Sequence, residues 1–148
     1  MMTADAPSSR PSAAPDATWS SDQQWLSLSA DGIQLQLDLA DDLLKLAHFG
    51  RIAPINPAQH RLMSAAATPQ ASLDQLPPNT LFNDAGLGFA GYPALIGDRE
   101  GRDWLTAMRL SDVACSTDAT GAHARLTLRD SLSELEVLIA LTVTREGV

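Results

Sequence analysis

Ile33-Gln34-Leu35-Gln36-Leu37-Asp38-Leu39 alternates an aliphatic residue with a polar one at every step. Successive side chains of an extended chain point to opposite faces, so a period of two marks a strand with one face in a core and one in water. Here the leucines and Ile33 face the core, and Gln34, Gln36 and Asp38 face solvent. Just before this stretch, Asp31-Gly32 is a turn signal, because both residue types tolerate positive φ. Before that turn, Trp25, Leu26 and Leu28 form a short apolar strand. The unit reads as strand, tight turn, strand.

Working outward, Asp41-Asp42 lead into Leu43-Leu44-Lys45-Leu46-Ala47-His48-Phe49-Gly50. Leu39, Leu43, Leu46 and Ala47 also fit one face of a helix. The preceding strand and the Asp-Asp turn favour a hairpin. From Arg51 to Asp84 the chain is expected to be irregular, with Pro54, Pro57, Pro69, Pro77 and Pro78 fixing φ and removing amide donors. Tyr92-Pro93-Ala94-Leu95-Ile96, then a turn over residues 97–101, then residues 104–110 read as strand, loop and strand. At the far end Ala124, Leu126 and Leu128 alternate with Arg125, Thr127 and Arg129, and Asp130-Ser131 begins a turn. Leu135, Val137, Ile139, Leu141 and Val143 follow at alternate positions. Leu138 and Ala140 make the other face of this last strand apolar too, so it is expected to be covered on both sides.

Residues 1–23 are rich in Ala, Ser, Pro, Thr and Asp and are expected to form a disordered tail. Residues 24–148 are the folded part: an all-β antiparallel sandwich with a long Pro-rich loop. The close of the sequence soon after a strand suggests an incomplete domain.

Composition narrows the chemistry. The apolar fraction is 45% but the aromatic fraction only 5%, so the core must be aliphatic. A net charge of −8 argues against nucleic acid and anionic membranes, which need clustered Lys and Arg. The single cysteine, Cys115, excludes an internal disulfide and a Cys-based metal site. It reads as a small buried hydrophobe in the strand-like Val113-Ala114-Cys115-Ser116. No signal-peptide pattern opens the chain, and no apolar run approaches the roughly 20 residues that span a bilayer, so a cytoplasmic location is expected.

Gly86-Leu87-Gly88-Phe89-Ala90-Gly91 fits G-x-G-x-x-G. A dinucleotide site needs that motif between a strand and a helix, with the helix amino terminus on the pyrophosphate. Here it follows a loop and precedes Pro93, so a glycine-rich loop is the expected reading and no cofactor is expected. The histidines, His48, His60 and His123, lack ligand-like spacing to Cys or carboxylates, and no metal is expected. His48 reads as packed with one nitrogen satisfied. Asp41, Asp42, Asp84, Asp98, Asp130, Glu134 and Glu136 lie mostly at turns, where short acids bond their own backbone. None is assigned as catalytic.

Two stretches carry a family resemblance. Asp31-Gly32-Ile33 through Leu44, Leu46, His48, Phe49 and Gly50 resembles the opening strands of glycoside hydrolase family 36, the α-galactosidases. Leu73-Asp74-Gln75-Leu76-Pro77, followed by Gly86, Gly88 and Pro93-Ala94-Leu95, resembles that family's next landmark, a loop reading roughly Gly-x-Gly-Asp-Phe-Arg-x-Pro-Ala. The hairpin from Arg125 to Thr144, with Asp130 at its turn, matches in order. The resemblance implies an accessory amino-terminal β-sandwich. The parent activity would be hydrolysis of terminal α-galactosides by a (β/α)8 barrel lying outside this sequence.

The sequence departs from the pattern at Phe89-Ala90-Gly91, where the family's sugar-binding Asp-Phe-Arg would stand. Asp84 as a nearby acceptor, or Phe89 as a stacking surface, is the candidate substrate contact. Expected partners are the barrel, on this or a separate chain, a homo-oligomeric copy and a galactoside. The alternative is a free-standing carbohydrate- or protein-binding sandwich, which the scarcity of aromatics disfavours.

Overall fold

The computed structural model describes residues 13–64, 80–87, 91–98, 100–102 and 105–144. Within them, β1 (Asp16–Ser20), β2 (Trp25–Ala30), β3 (Ile33–Asp38) and β4 (Lys45–Arg51) form one antiparallel sheet in sequence order. A helix, α1 (Pro57–Ser64), follows. Then β5 (Arg109–Thr117), β6 (Gly121–Asp130) and β7 (Leu135–Thr144) form a second antiparallel sheet, again in sequence order. The sheets pack face to face, β2 lying over β6 and β7 and β1 beside β5. This is an all-β sandwich.

The core is aliphatic. Leu26, Leu28, Leu35, Leu37, Leu39 and Leu44 meet Met108, Ala122, Ala124, Leu126, Leu128 and Val143. Each fully buried leucine contributes about 1.5–3 kcal/mol through removal of its surface from water. The hairpin register explains why these residues meet. Leu28 lies opposite Leu35 and Leu26 opposite Leu37, so two inner rows coincide. In the other sheet Leu126 faces Ile139 and Leu128 faces Val137. Asp31 and Gly32 both adopt positive φ, 50° and 86°, as a two-residue hairpin turn matching the twist of its strands requires.

The chain is ordered earlier than composition suggests. β1 lies inside the stretch expected to be a tail, with Ala17 and Trp19 packed against the core. Its apolar face consists of only those two residues, too few for a periodicity to stand out. The ambiguous stretch after Asp42 is a strand, β4. It carries a bulge against β3 at Gln36/Leu37, and this extra residue is what blurs its alternation.

Further expectations are corrected. Residues 57–64, read as irregular, are α1; Pro57 opens it, where a missing amide costs nothing. The Asn56 side chain supports that first turn, accepting from the Gln59 amide at 3.1 Å. Tyr92 to Ile96 is not a strand, and the strand expected over 104–110 begins only at Arg109 and runs on to Thr117. Finally, β7 is covered on one face only. Leu138 is 59% exposed, and Glu136 and Ala140 are exposed beside it.

The opposite holds for β3. The end of its polar face, expected in water, is held by α1 at Asp38. Arg61 donates to both oxygens of Asp38, at 2.9 and 2.6 Å, and to the Gln23 carbonyl at 2.6 Å. His60 meets Trp25 edge-on, with ring centroids 5.6 Å apart. Asp38 is buried beneath these contacts, and Gln36 on the same face is buried too. No helix among the described residues is long and apolar enough to cross a membrane.

Candidate functional site

The segment from Thr80 to Leu87 is clamped between the sheets' connections. Leu81 donates its amide to the Leu44 carbonyl at 2.9 Å, tying the segment to the entry of β4. Asp84 then turns inward and is 3% exposed. One carboxylate oxygen accepts the Met108 amide at 2.6 Å. The other accepts the Thr106 hydroxyl at 3.0 Å and the Gly86 amide at 3.2 Å. Asp130, 5% exposed, completes the grip: it accepts the Ala107 amide at 3.3 Å, the Ser133 hydroxyl at 2.9 Å and the Leu132 amide at 3.0 Å. Burial pushes the Asp130 carboxyl up. The Leu132 amide, the Ser133 hydroxyl and the Ala107 amide outweigh it, so the group stays below its ordinary value. Two buried carboxylates thus hold residues 106–108 and fix where β5 begins.

The sequence marks Asp84 as a candidate sugar contact. The structure places it inside the fold, with both oxygens engaged by protein donors. Phe89, the second candidate, lies outside the described residues, as do Gly88 and Ala90. Of the glycine-rich motif, Gly86 is described in full. A Cβ there would stand 2.0 Å from the Thr106 carbonyl oxygen, while the Gly86 amide itself donates to that oxygen at 3.0 Å. Gly86 is required for close backbone approach rather than for a phosphate. Residues 91–98 contain no helix, so the setting of a dinucleotide site is missing on that side. Tyr92 is 85% exposed in this loop, whose base is pinned where the Ala94 amide donates to the Asn83 carbonyl at 2.8 Å.

A second constellation sits where β5 turns into β6. One oxygen of Asp118 accepts the Thr120 amide at 2.7 Å, the Gly121 amide at 3.2 Å and the Thr120 hydroxyl. The same oxygen is 3.1 Å from His123 Nε2. The other ring nitrogen, Nδ1, lies 3.1 Å from the Thr142 hydroxyl on β7, the residue paired with His123 across the sheet. Hydrogen bonds from Thr120, His123 and the backbone hold the Asp118 carboxyl well below the usual carboxylate range. An acid, an imidazole and a hydroxyl in file have the connectivity of a proton relay. The acid is nonetheless a turn residue at an exposed corner, bonding its own backbone as Asp does in such turns. His123 and Thr142, but not Asp118, border a shallow depression of about 390 Å³ with Ser116 and Arg125. Cys115 also lines it, and burial pushes its thiol up, away from the reactive thiolate.

The remaining histidines are accounted for locally. His48 Nε2 lies 2.8 Å from the Arg51 carbonyl, and His60 Nε2 lies 3.2 Å from the Ser64 hydroxyl. Among the described residues no three His, Cys, Asp or Glu side chains converge as metal ligands do. The His123–Thr142 contact was hidden in the sequence although the hairpin was clear, because it depends on the register across the turn. The roles of Asp84 and Asp130 depend on residues 106–108, which no local pattern marks. Compared with family models, curated proteins and solved structures, the chain has no match.

Proposed function

We propose that this chain is a non-catalytic β-sandwich module that acts by packing against another protein surface, the accessory segment of an α-galactosidase-type glycoside hydrolase. The observation that carries the non-catalytic part is the fate of the buried acids. Asp38, Asp84 and Asp130 each have their oxygens engaged by Arg61, backbone amides or hydroxyls. Retaining glycoside hydrolysis needs two carboxyl groups facing each other across a sugar, free to donate and to attack. The α-galactosidase class rests on the order of motifs from Asp31 to Thr144. The proposed partner is the catalytic barrel of that parent activity, in a cytoplasmic setting.

The packing surface in this reading is the flank beyond the second sheet's reach. Phe49 lies opposite Leu35, on the inner side of β4, yet is 54% exposed, and Ile52 beside it is 51% exposed. Large exposed apolar side chains at the end of a strand are the kind a contact surface uses. Sugar contact, if the module rims a pocket, falls to Phe89 and to Tyr92 beside it rather than to Asp84.

Exposed Tyr92 also supports a second reading, a free-standing carbohydrate-binding module. Two measurements on the purified chain test the proposal. Incubation with an aryl α-galactoside is expected to give no turnover, and turnover would overturn the reading. Titration with galactose or raffinose, followed by tryptophan fluorescence, is expected to give no saturable change, whereas saturable binding would favour the second reading.

A further inference from the structure

Among the described residues the sandwich has strands at four edges, β1 and β4 in one sheet and β5 and β7 in the other. An edge strand presents unpaired amides and carbonyls and invites another strand unless something blunts it. Three of these edges are blunted. β1 has only 5 residues. β4 is broken by its bulge and carries Lys45, His48 and Arg51. β5 is broken at Leu110/Asp112 and carries Arg109 and Asp112. β7 has none of these devices. It runs for 10 residues, Leu-Glu-Val-Leu-Ile-Ala-Leu-Thr-Val-Thr, pairs without irregularity along its length with β6, and has no Pro, Lys or Gly. Its single charge, Glu136, is neutralised by Arg129 at 2.7 Å.

The side chains of β7 say which strand fits. We propose that β7 pairs antiparallel with β7 of a second copy of this chain, about a twofold axis through Ile139. That register keeps the two faces of the sheet continuous, because residues whose numbers differ by an even step share a face. On the inner face it sets Ile139 against Ile139, Val137 against Leu141 and Leu135 against Val143, an unbroken apolar row. On the outer face it sets Leu138 against Ala140 and Glu136 against Thr142. The two Glu136 side chains end six positions apart, roughly 20 Å at the rise of a strand, beyond the screening length at physiological salt. Slipping the register by one residue, which moves the axis to a point between residues, would set inner side chains against outer ones, and no other register centres the apolar row. Among the described residues no strand lies beyond β7, and Leu135, Val137, Ile139 and Leu141 pack on the core but remain only half-buried. Pairing would cover them together with Leu138.

The inference stands on this edge and not on the proposed hydrolase association, which uses the β4 flank. Sedimentation equilibrium of the 148-residue chain from low to high micromolar concentration is expected to show a monomer–dimer equilibrium. Leu138→Lys replaces an exposed side chain and sets two cations diagonally across the seam; it should weaken the dimer roughly tenfold or more with unchanged circular dichroism. In a Cys115→Ala background, Ile139→Cys should oxidise to a disulfide-linked dimer, since directly opposed residues lie within disulfide reach. Leu132→Cys, on the exposed turn, should not. A monomer at every concentration would overturn the proposal. So would a dimer indifferent to Leu138→Lys, or one that cross-links through position 132 rather than 139.

Discussion

β3 and β7 carry similar sequence patterns and meet opposite fates. Both alternate, and both place one apolar row in the core. The outer face of β3 is polar, Gln34, Gln36 and Asp38, and the structure buries two of the three. The outer face of β7 sets the apolar Leu138 and Ala140 among Glu136, Thr142 and Thr144, and both of these apolar residues are exposed. What covers a sheet face is therefore decided by what arrives from elsewhere in the chain, not by the strand's own polarity. α1 arrives at the end of β3 carrying one guanidinium that matches Asp38. Among the described residues nothing arrives over β7.

The sharpest break in that comparison lies on the shared inner face. Leu37 is fully buried, whereas Ile139 is half-buried. Leu37→Ala should cost about 3 kcal/mol of unfolding free energy, and Ile139→Ala about 1 kcal/mol, in denaturant titrations of dilute protein. Equal costs would mean that β7 is as well covered as β3.

Next in size is the link that covers β3. Arg61→Met leaves the Asp38 carboxylate under the helix without its fork of donors and should cost about 2 kcal/mol, discounted because the arginine is partly exposed. Adding Asp38→Asn should recover much of the loss. The pH dependence follows from Asp38. Burial pushes its carboxyl up, but the Arg61 hydrogen bonds, the Ala40 amide and the charges of Arg61 and Lys45 bring it below 3.8. A group depressed in the folded state stabilises fully above its unfolded value and loses that stabilisation as pH falls through the folded one. The difference between wild type and Arg61→Met should therefore be constant at neutral pH and shrink below pH 3.8. A difference that grows on acidification would contradict the assigned pair.

A smaller effect of opposite sign is expected at Gln36. Its side-chain oxygen is buried without a hydrogen-bond partner. Gln36→Leu removes that unsatisfied group and should stabilise by about 1 kcal/mol, read as a raised denaturation midpoint. The smallest effect belongs to the open face: Leu138→Lys should change the stability of dilute protein by less than about 0.5 kcal/mol.

These contrasts also show how far the sequence could be read. The strands around Asp31-Gly32 and the hairpin spanning Leu126 to Val143 were legible, because short-range alternation and turn chemistry specify them locally. β1 was not, since two inward side chains make no pattern. α1 was not, since Pro57 reads as a breaker until its place at a helix start is known. Asp84 illustrates the limit for sites. Sequence reasoning marked it as an acid beside a glycine-rich loop. Its actual partners, Thr106 and Met108, are brought to it only by the packing of distant segments. Asp118 and His123 were missed because their meeting depends on the β5–β6 turn, in a stretch without strong alternation.

The most direct test of this account is hydrogen exchange along β3 and β7 as a function of protein concentration. The account predicts that β3 amides are protected equally at all concentrations. In β7, alternate amides should exchange readily in dilute solution and become protected as concentration rises. Protection of every β7 amide in dilute solution, or exchange of alternate ones at all concentrations, would contradict an open edge that closes on a second copy.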